Sequence, residues 1–184
     1  MVIGWILIGA IVLGVLWGVA AYNGLVRSRQ EIKSAWSQID VQLKRRHDLI
    51  PNLVEAVRGY LTHERETLEK VTQARNQAVR ADNLKDKAQA ENFLTQTLRS
   101  LFAVAERYPD LKANQNILAL QEELTSTENR ISFARQFYND QAMRFNTAIE
   151  TVPTNLIANL TGFNKVEFFE IEDPAHREVP SVKF

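Results

Sequence analysis

Residues 117–152, ILALQEELTSTENRISFARQFYNDQAMRFNTAIETV, decide the fold class. Ile117, Leu124, Ile131, Tyr138, Phe145 and Val152 recur every seven residues, and Leu120, Ala134 and Ala148 fill the partner position. A seven-residue apolar repeat sustained this long marks a packed helix–helix seam of the coiled-coil kind. A helix from about 112 to 150 would run roughly 55–60 Å at ~1.5 Å per residue. Such a helix cannot bury its stripe alone, so the pattern predicts an up-and-down bundle with short loops.

The flanking sequence supplies the other helices. Between residues 27 and 150 there is one glycine, Gly59, and two prolines, Pro51 and Pro109, while Glu, Gln, Lys, Arg, Ala and Leu dominate. These are strong helix formers. A first helix carries Leu25, Ile32, Ala35, Ile39 and Leu43. Pro51 has no N–H and its ring opposes the carbonyl of His47, so the reading favours a turn at 48–51, with Asp48 capping a new helix. A kinked continuous helix is the alternative. Apolar positions resume at Leu53, Val54, Val57, Leu61, Leu68 and Val71 and fade near Ala81-Asp82-Asn83. A third helix takes in Leu94, Leu98, Leu101, Ala105 and Tyr108, and stops where Pro109 restricts the residue before it. The expected fold is all-α: an N-terminal transmembrane helix (1–26), a long antiparallel four-helix bundle (27–152) and a non-bundle tail (153–184).

From Val2 to Ala21 the chain reads VIGWILIGAIVLGVLWGVAA, and no charged side chain precedes Arg27. About 20 apolar residues suffice to cross ~30 Å of hydrocarbon. Trp5 near one end, with Trp17 and Tyr22 near the other, fits interfacial anchoring. A cleaved signal peptide is the rival reading, through Gly18-Val19-Ala20. It lacks a basic leading region, and its apolar run is longer than such peptides carry. Basic residues follow the span (Arg27, Arg29, Lys33, Lys44-Arg45-Arg46) and none precedes it, so the positive-inside rule points to an outside N-terminus and a cytoplasmic bundle. Ala10, Gly14 and Gly18 lie at four-residue spacing on one face. That spacing would let two spans approach closely, although glycine is common in such helices anyway.

In the tail, Thr154 to Leu160 could form one more short helix stopped by Gly162. Beyond it, NKVEFFEIEDPAHREVPSVKF spaces Phe168, Phe169 and Phe184 among acids and prolines. An apolar strap or an intermolecular contact is favoured over a disordered end.

The chemistry is sparse. With 22 basic and 22 acidic residues the chain carries no field to draw nucleic acid, and having no cysteine it can form neither disulfides nor thiolate metal sites. A bundle di-iron site needs Glu-x-x-His pairs, but Lys44, Tyr60 and Asp173 stand three residues before His47, His63 and His176. His63-Glu64 begins like a zinc-protease motif but has no second histidine, since Thr67 stands there. There is no nucleophile elbow, phosphate loop or dinucleotide fingerprint. No catalytic, cofactor or metal residue is expected, and no small-molecule substrate. The run Lys44-Arg45-Arg46-His47 reads as a solvated helix end or as a contact with carboxylates on another helix.

Several stretches carry a family resemblance: Tyr22-Asn23-Gly24-Leu25-Val26, Ala35-Trp36-Ser37-Gln38-Ile39-Asp40-Val41-Gln42-Leu43-Lys44-Arg45-Arg46, Asp48-Leu49-Ile50-Pro51-Asn52-Leu53-Val54, Glu106-Arg107-Tyr108-Pro109-Asp110-Leu111-Lys112-Ala113-Asn114, Thr127-Glu128-Asn129-Arg130-Ile131 and Tyr138-Asn139-Asp140. In this order they resemble the LemA family across nearly the whole chain. His47 departs from the pattern, standing where an aromatic is frequent. The resemblance implies a single-pass membrane protein with a four-helix bundle, no established enzymatic activity and no agreed ligand-binding residues. Asn139 and Asn146, seven apart beside Tyr138 and Phe145, are expected to set the register between helices, as buried amides do. The expected role is a self-assembling structural component of the bacterial cell envelope, in the inner membrane, partnered by the lipid bilayer and by further copies of itself. An adaptor for another envelope protein is the alternative.

Overall fold

Val2 to Arg58 form one unbroken 57-residue helix, α1. This computed structural model describes residues 1–61 and 63–169. After α1 come α2 (Arg65–Arg80), α3 (Leu84–Ala105), the single turn α4 (Pro109–Lys112), α5 (Gln115–Glu150) and α6 (Thr154–Thr161). Among the described residues the regular structure is entirely helical.

The junctions follow from local chemistry. Gly59, the poorest helix former after proline, is the first residue beyond α1. The Asn83 side chain accepts the Asp86 N–H at 2.8 Å and caps α3. Pro109 occupies the first turn of α4, where its missing N–H has no bond to lose. Asn114 Oδ1 accepts from the N–H of Asn116 at 3.0 Å and opens α5. Gly162 ends α6 with φ of 73°, a left-handed conformation that L side chains avoid, and the Phe163 N–H donates to the Ala158 carbonyl at 3.0 Å.

The described chain divides into two compact units. One comprises Val41–Ile131, with Phe169. Its core draws Ile50, Leu53 and Val57 from α1, Leu68, Val71 and Ala74 from α2, Leu94, Leu98 and Leu101 from α3, Leu111 from α4, and Ile117 and Leu124 from α5. α2 and α3 run antiparallel: Asn83 joins them at one end, and at the other Arg107 and Tyr108 donate to Glu64 at 3.2 and 3.4 Å. α1 and α5 are antiparallel here as well, with Tyr60 accepting from Asn114 at 3.0 Å and Arg45 reaching Glu123 at 2.5 Å.

The other unit holds Met1–Asp40 and Ser132–Phe168. Leu25, Ile32, Ala35 and Ile39 of α1 are buried in it, as are Tyr138, Ala142, Phe145 and Ile149 of α5. Trp36 and Tyr138 meet edge to face at 5.7 Å, and Phe163 packs against both Tyr22 and Phe145. After Gly162 the chain runs back along α5. The Asn146 side-chain amide accepts from the Val166 N–H and donates to the Val166 carbonyl, each at 2.9 Å, and the Tyr138 hydroxyl donates to the Glu167 carbonyl at 3.0 Å.

Three expectations are corrected. No turn forms at 48–51: α1 continues through Pro51, so Leu53, Val54 and Val57 belong to it and not to a second helix. The carbonyl that Pro51 cannot serve, that of His47, accepts a hydrogen bond from Arg75 Nε of α2 at 2.7 Å. A guanidinium thus takes the place of the missing N–H, and the main penalty of an internal proline is partly offset. Val152 lies beyond the end of α5 and is largely exposed, so the heptad stripe stops at Phe145 and Ile149. Tyr108 lies outside α3, at the cap of α4.

The Arg75 contact has a measurable signature. Arg75→Met should destabilise the protein by about 1–3 kcal/mol by orphaning that carbonyl. In a Pro51→Ala background, where the residue 51 N–H can reach the His47 carbonyl, the same change should cost clearly less. Urea unfolding of the four proteins of this cycle in mild detergent measures the coupling; equal costs in both backgrounds would refute this account of the proline.

Candidate membrane segment and buried charge cluster

Every residue from Met1 to Trp17 is exposed, and nearly all are apolar. One helix of the described chain, α1, has a stretch long and apolar enough to cross a membrane. A helix that is apolar all round is at equilibrium in lipid or a protein core, not in water. From Leu25 onward the pattern narrows to a single buried face at three- and four-residue spacing, as a protein-packed helix requires. Of the small-residue stripe, Ala10 is exposed, a Cβ on Gly14 would meet nothing within 4 Å, and one on Gly18 would meet Ile157 Cδ1 at 3.6 Å.

The second candidate site grows from the basic run. Arg46 falls in the buried stripe of α1, between Leu43 and Ile50, and its side chain has no exposure. It is ion-paired with Glu91 of α3 and with Glu128 of α5. It also donates to the Thr95 hydroxyl at 2.9 Å and to the Glu91 carbonyl at 3.4 Å. Thr95 in turn donates to Glu128 at 3.1 Å, and His47 Nε2 meets the second Glu91 oxygen at 2.8 Å. An ionised carboxylate can only accept, so Nε2 carries the proton. Arg45, one residue earlier, faces solvent and reaches Glu123. The basic run therefore makes contacts with carboxylates of other helices. Burial pushes the Glu91 carboxyl up, but the His47 hydrogen bond and the Arg46 charge outweigh it, and the group titrates below its ordinary value.

This cluster is structural in its chemistry. Its charges are directed at one another, and among the described residues no group of three or more His, Asp or Glu could hold a metal ion. Glu128 enters the sequence reading only within the 127–131 stretch of the family resemblance, and Glu91 does not enter it. A signal for Glu91 exists, since it stands seven residues before Leu98 on the buried face of α3.

The seam residues Ile117, Leu124 and Ile131 are buried in the first unit, and Tyr138 and Phe145 in the second. Asn139 is half-buried, and Asn146 grips the backbone of Val166. Phe168 is partly exposed and Phe169 buried, while Phe184 lies outside the described residues.

The LemA family profile matches residues 35–184. The chain belongs to the LemA family. It is similar to Protein LemA of Metamycoplasma hominis, 32% identical over 152 residues, covering 82% of this chain and 69% of that one. It is also similar to Magnetosome protein MamQ of Magnetospirillum gryphiswaldense and to Magnetosome protein MamQ 2 of Paramagnetospirillum magneticum. Both are 26% identical over 180 residues, covering 84% of this chain and 66% of theirs. The chain thus spans about two thirds of the length of these relatives. The match begins at residue 35, so the buried cluster lies within the LemA-type region and the apolar segment of α1 precedes it.

Two outcomes follow for the cluster. Arg46→Met should cost about 3–5 kcal/mol, because it leaves Glu91 buried without its cation, and adding Glu91→Leu should recover part of that loss. Glu91 has a lowered folded pKa, so its contribution is present above the ordinary carboxylate range and is lost as pH falls below it. Unfolding midpoints should therefore drop as pH falls below the ordinary carboxylate range, and Glu91→Gln should flatten that drop. An unchanged acid profile in Glu91→Gln would remove Glu91 from the acid response.

Proposed function

We propose that this LemA-family protein is a non-enzymatic, single-pass membrane protein that acts as a self-assembling scaffold of the bacterial cell envelope. The observation that carries this reading is the exposed, uncharged run from Met1 to Trp17, built into the same helix that supplies the buried face of the helical body. The relatives' names support the envelope part of this reading, since MamQ is named for the magnetosome. On this reading residues 1–26 are the anchor, 27–152 a four-helix bundle whose seam is Ile117, Leu124, Ile131, Tyr138 and Phe145, and 153–184 a tail whose phenylalanines make contacts. Asn139 and Asn146 keep their proposed part in register. The basic residues after the span favour an outside N-terminus and a cytoplasmic body in the inner membrane.

Self-association would use the stripe of Ala10, Gly14 and Gly18, whose small side chains allow close approach of a second span. An adaptor role gains one observation, the exposed pair Phe133 and Phe137 four residues apart on α5, which is apolar surface available to another protein.

The mass of the full-length protein after gentle detergent extraction separates these readings. A discrete homo-oligomer is expected, and Gly14→Leu should shift it to a smaller species without loss of helix. Because a Cβ at position 14 would meet nothing within 4 Å among the described residues, that shift would point to a contact between chains. A monomer in both proteins would overturn the scaffold reading.

A further inference from the structure

Helix α6 buries Ala158 but leaves two leucines uncovered. Leu160 is 83% exposed, Leu156 59%, and Val152, just before the helix, 74%. Leu156 and Leu160 stand four residues apart and so share one face. The polar residues are Thr154, Asn155, Asn159 and Thr161, and no charged residue falls between Glu150 and Lys165. In water this would be an unexplained patch on a short helix.

The position of α6 along α1 explains it. Ile157 Cδ1 lies 3.6 Å from where a Gly18 Cβ would stand, inside the last turn of the apolar run. Phe163, just past the end of α6, packs edge-on against Tyr22 at 5.9 Å, and the Arg29 guanidinium lies 5.0 Å from the Phe163 ring centre. α6 therefore sits alongside residues 18–22, where the run ends and the first charges begin. In a bilayer this is the depth of the headgroup–acyl boundary, where aromatic rings and arginine settle. Leu156 and Leu160 are at that depth, and among the described residues nothing covers them.

We infer that α6 is a membrane-interface helix, its Leu156–Leu160 face seated in the lipid leaflet beside the last turn of the anchor. The occupant of this face is lipid because the face is continuous with the apolar surface of α1 at the Gly18–Ile157 contact, and because the uncharged stretch on either side of α6 suits entry into the boundary region. Short amphipathic helices lie in this plane with their apolar side ~5–10 Å into the boundary. The inference rests on the anchor reading and adds to it a second point of lipid contact more than a hundred residues away in sequence.

The chain has no cysteine, so single cysteines can be introduced without removing others. Full-length Leu156→Cys, Leu160→Cys, Val12→Cys and Val79→Cys proteins, nitroxide-labelled, are reconstituted in phosphatidylcholine–phosphatidylglycerol vesicles. Collision with oxygen is compared with collision with a water-soluble nickel chelate. Positions 12 and 79 are exposed in α1 and α2 and serve as lipid and water references. Labels at 156 and 160 should favour oxygen several-fold over the Val79 label, approaching the Val12 label. If 12 is in lipid while 156 and 160 behave like 79, the inference fails and the anchor stands. Labels at 156 and 160 shielded from both reagents would mean protein covers the face, which also overturns it. A water-exposed Val12 label would overturn the anchor reading and this inference together. All four positions are exposed, so the substitutions leave the core intact, and an unchanged circular dichroism spectrum checks each one.

Discussion

A guanidinium buried without exposure sets the terms for the helices around it. Arg46 cannot leave the interior without dragging α1 along, and it cannot stay there unless Glu91, Glu128 and Thr95 meet it. Sliding α1 by one turn, ~5.4 Å, past α3 and α5 would separate a buried cation from its buried anion. The penalty for such a slip is several kcal/mol, whereas the apolar core residues would lose much less by exchanging one aliphatic neighbour for another. The cluster is therefore a stronger constraint on register than any leucine near it. One residue on, α2 is tied to the same turn of α1 through Arg75 and the His47 carbonyl. Three helices are fixed to one turn of a fourth.

At this same turn the local sequence favours a break, and the continuous helix that was its alternative is the one that forms. The helical class and the apolar N-terminal helix were legible, because composition and periodicity carry both. Pro51 was read by its local rule: no N–H and a ring facing His47. That rule holds unless a distant group takes the freed carbonyl, and the group that does so stands 28 residues away on another helix. Sequence spacing contains nothing that links Arg75 to His47. The heptad in α5 was legible through Phe145, but extending it to Val152 ignored that the helix ends at Glu150.

The basic run shows a different limit. Lys44, Arg45 and Arg46 look alike in a string, yet Arg45 is half-exposed and Arg46 wholly buried. The difference is one of phase: Arg46 lies three residues after Leu43 and four before Ile50, on the buried face. A charge in phase with an apolar stripe implies a countercharge in phase with another stripe, and Glu91 meets that description relative to Leu98. The phase of an apolar stripe is visible because many residues repeat it, whereas a single charge in phase does not stand out in a string. Asn146 is a related case. An amide beside a seam was legible, but its partner is the backbone of Val166, which no helical repeat could indicate.

On the proposed anchor reading, α1 satisfies two solvents in succession, and the chain marks where one gives way to the other. Up to Ala21 the helix is apolar on every side, and from Leu25 it is apolar on one. If length alone placed the boundary, the helix could slide by a residue or two in the bilayer at little cost. Here the change of pattern coincides with Tyr22, Phe163 and Arg29 stacked together, and with α6 beside Gly18. Aromatic rings and a guanidinium tolerate the headgroup region and resist moving fully into either water or hydrocarbon. Residues from both ends of the sequence thus converge on one level of the helix. On that reading the boundary is built by tertiary contacts and not by hydropathy alone, and a change in α6 would be felt at the anchor although it leaves the anchor's sequence untouched.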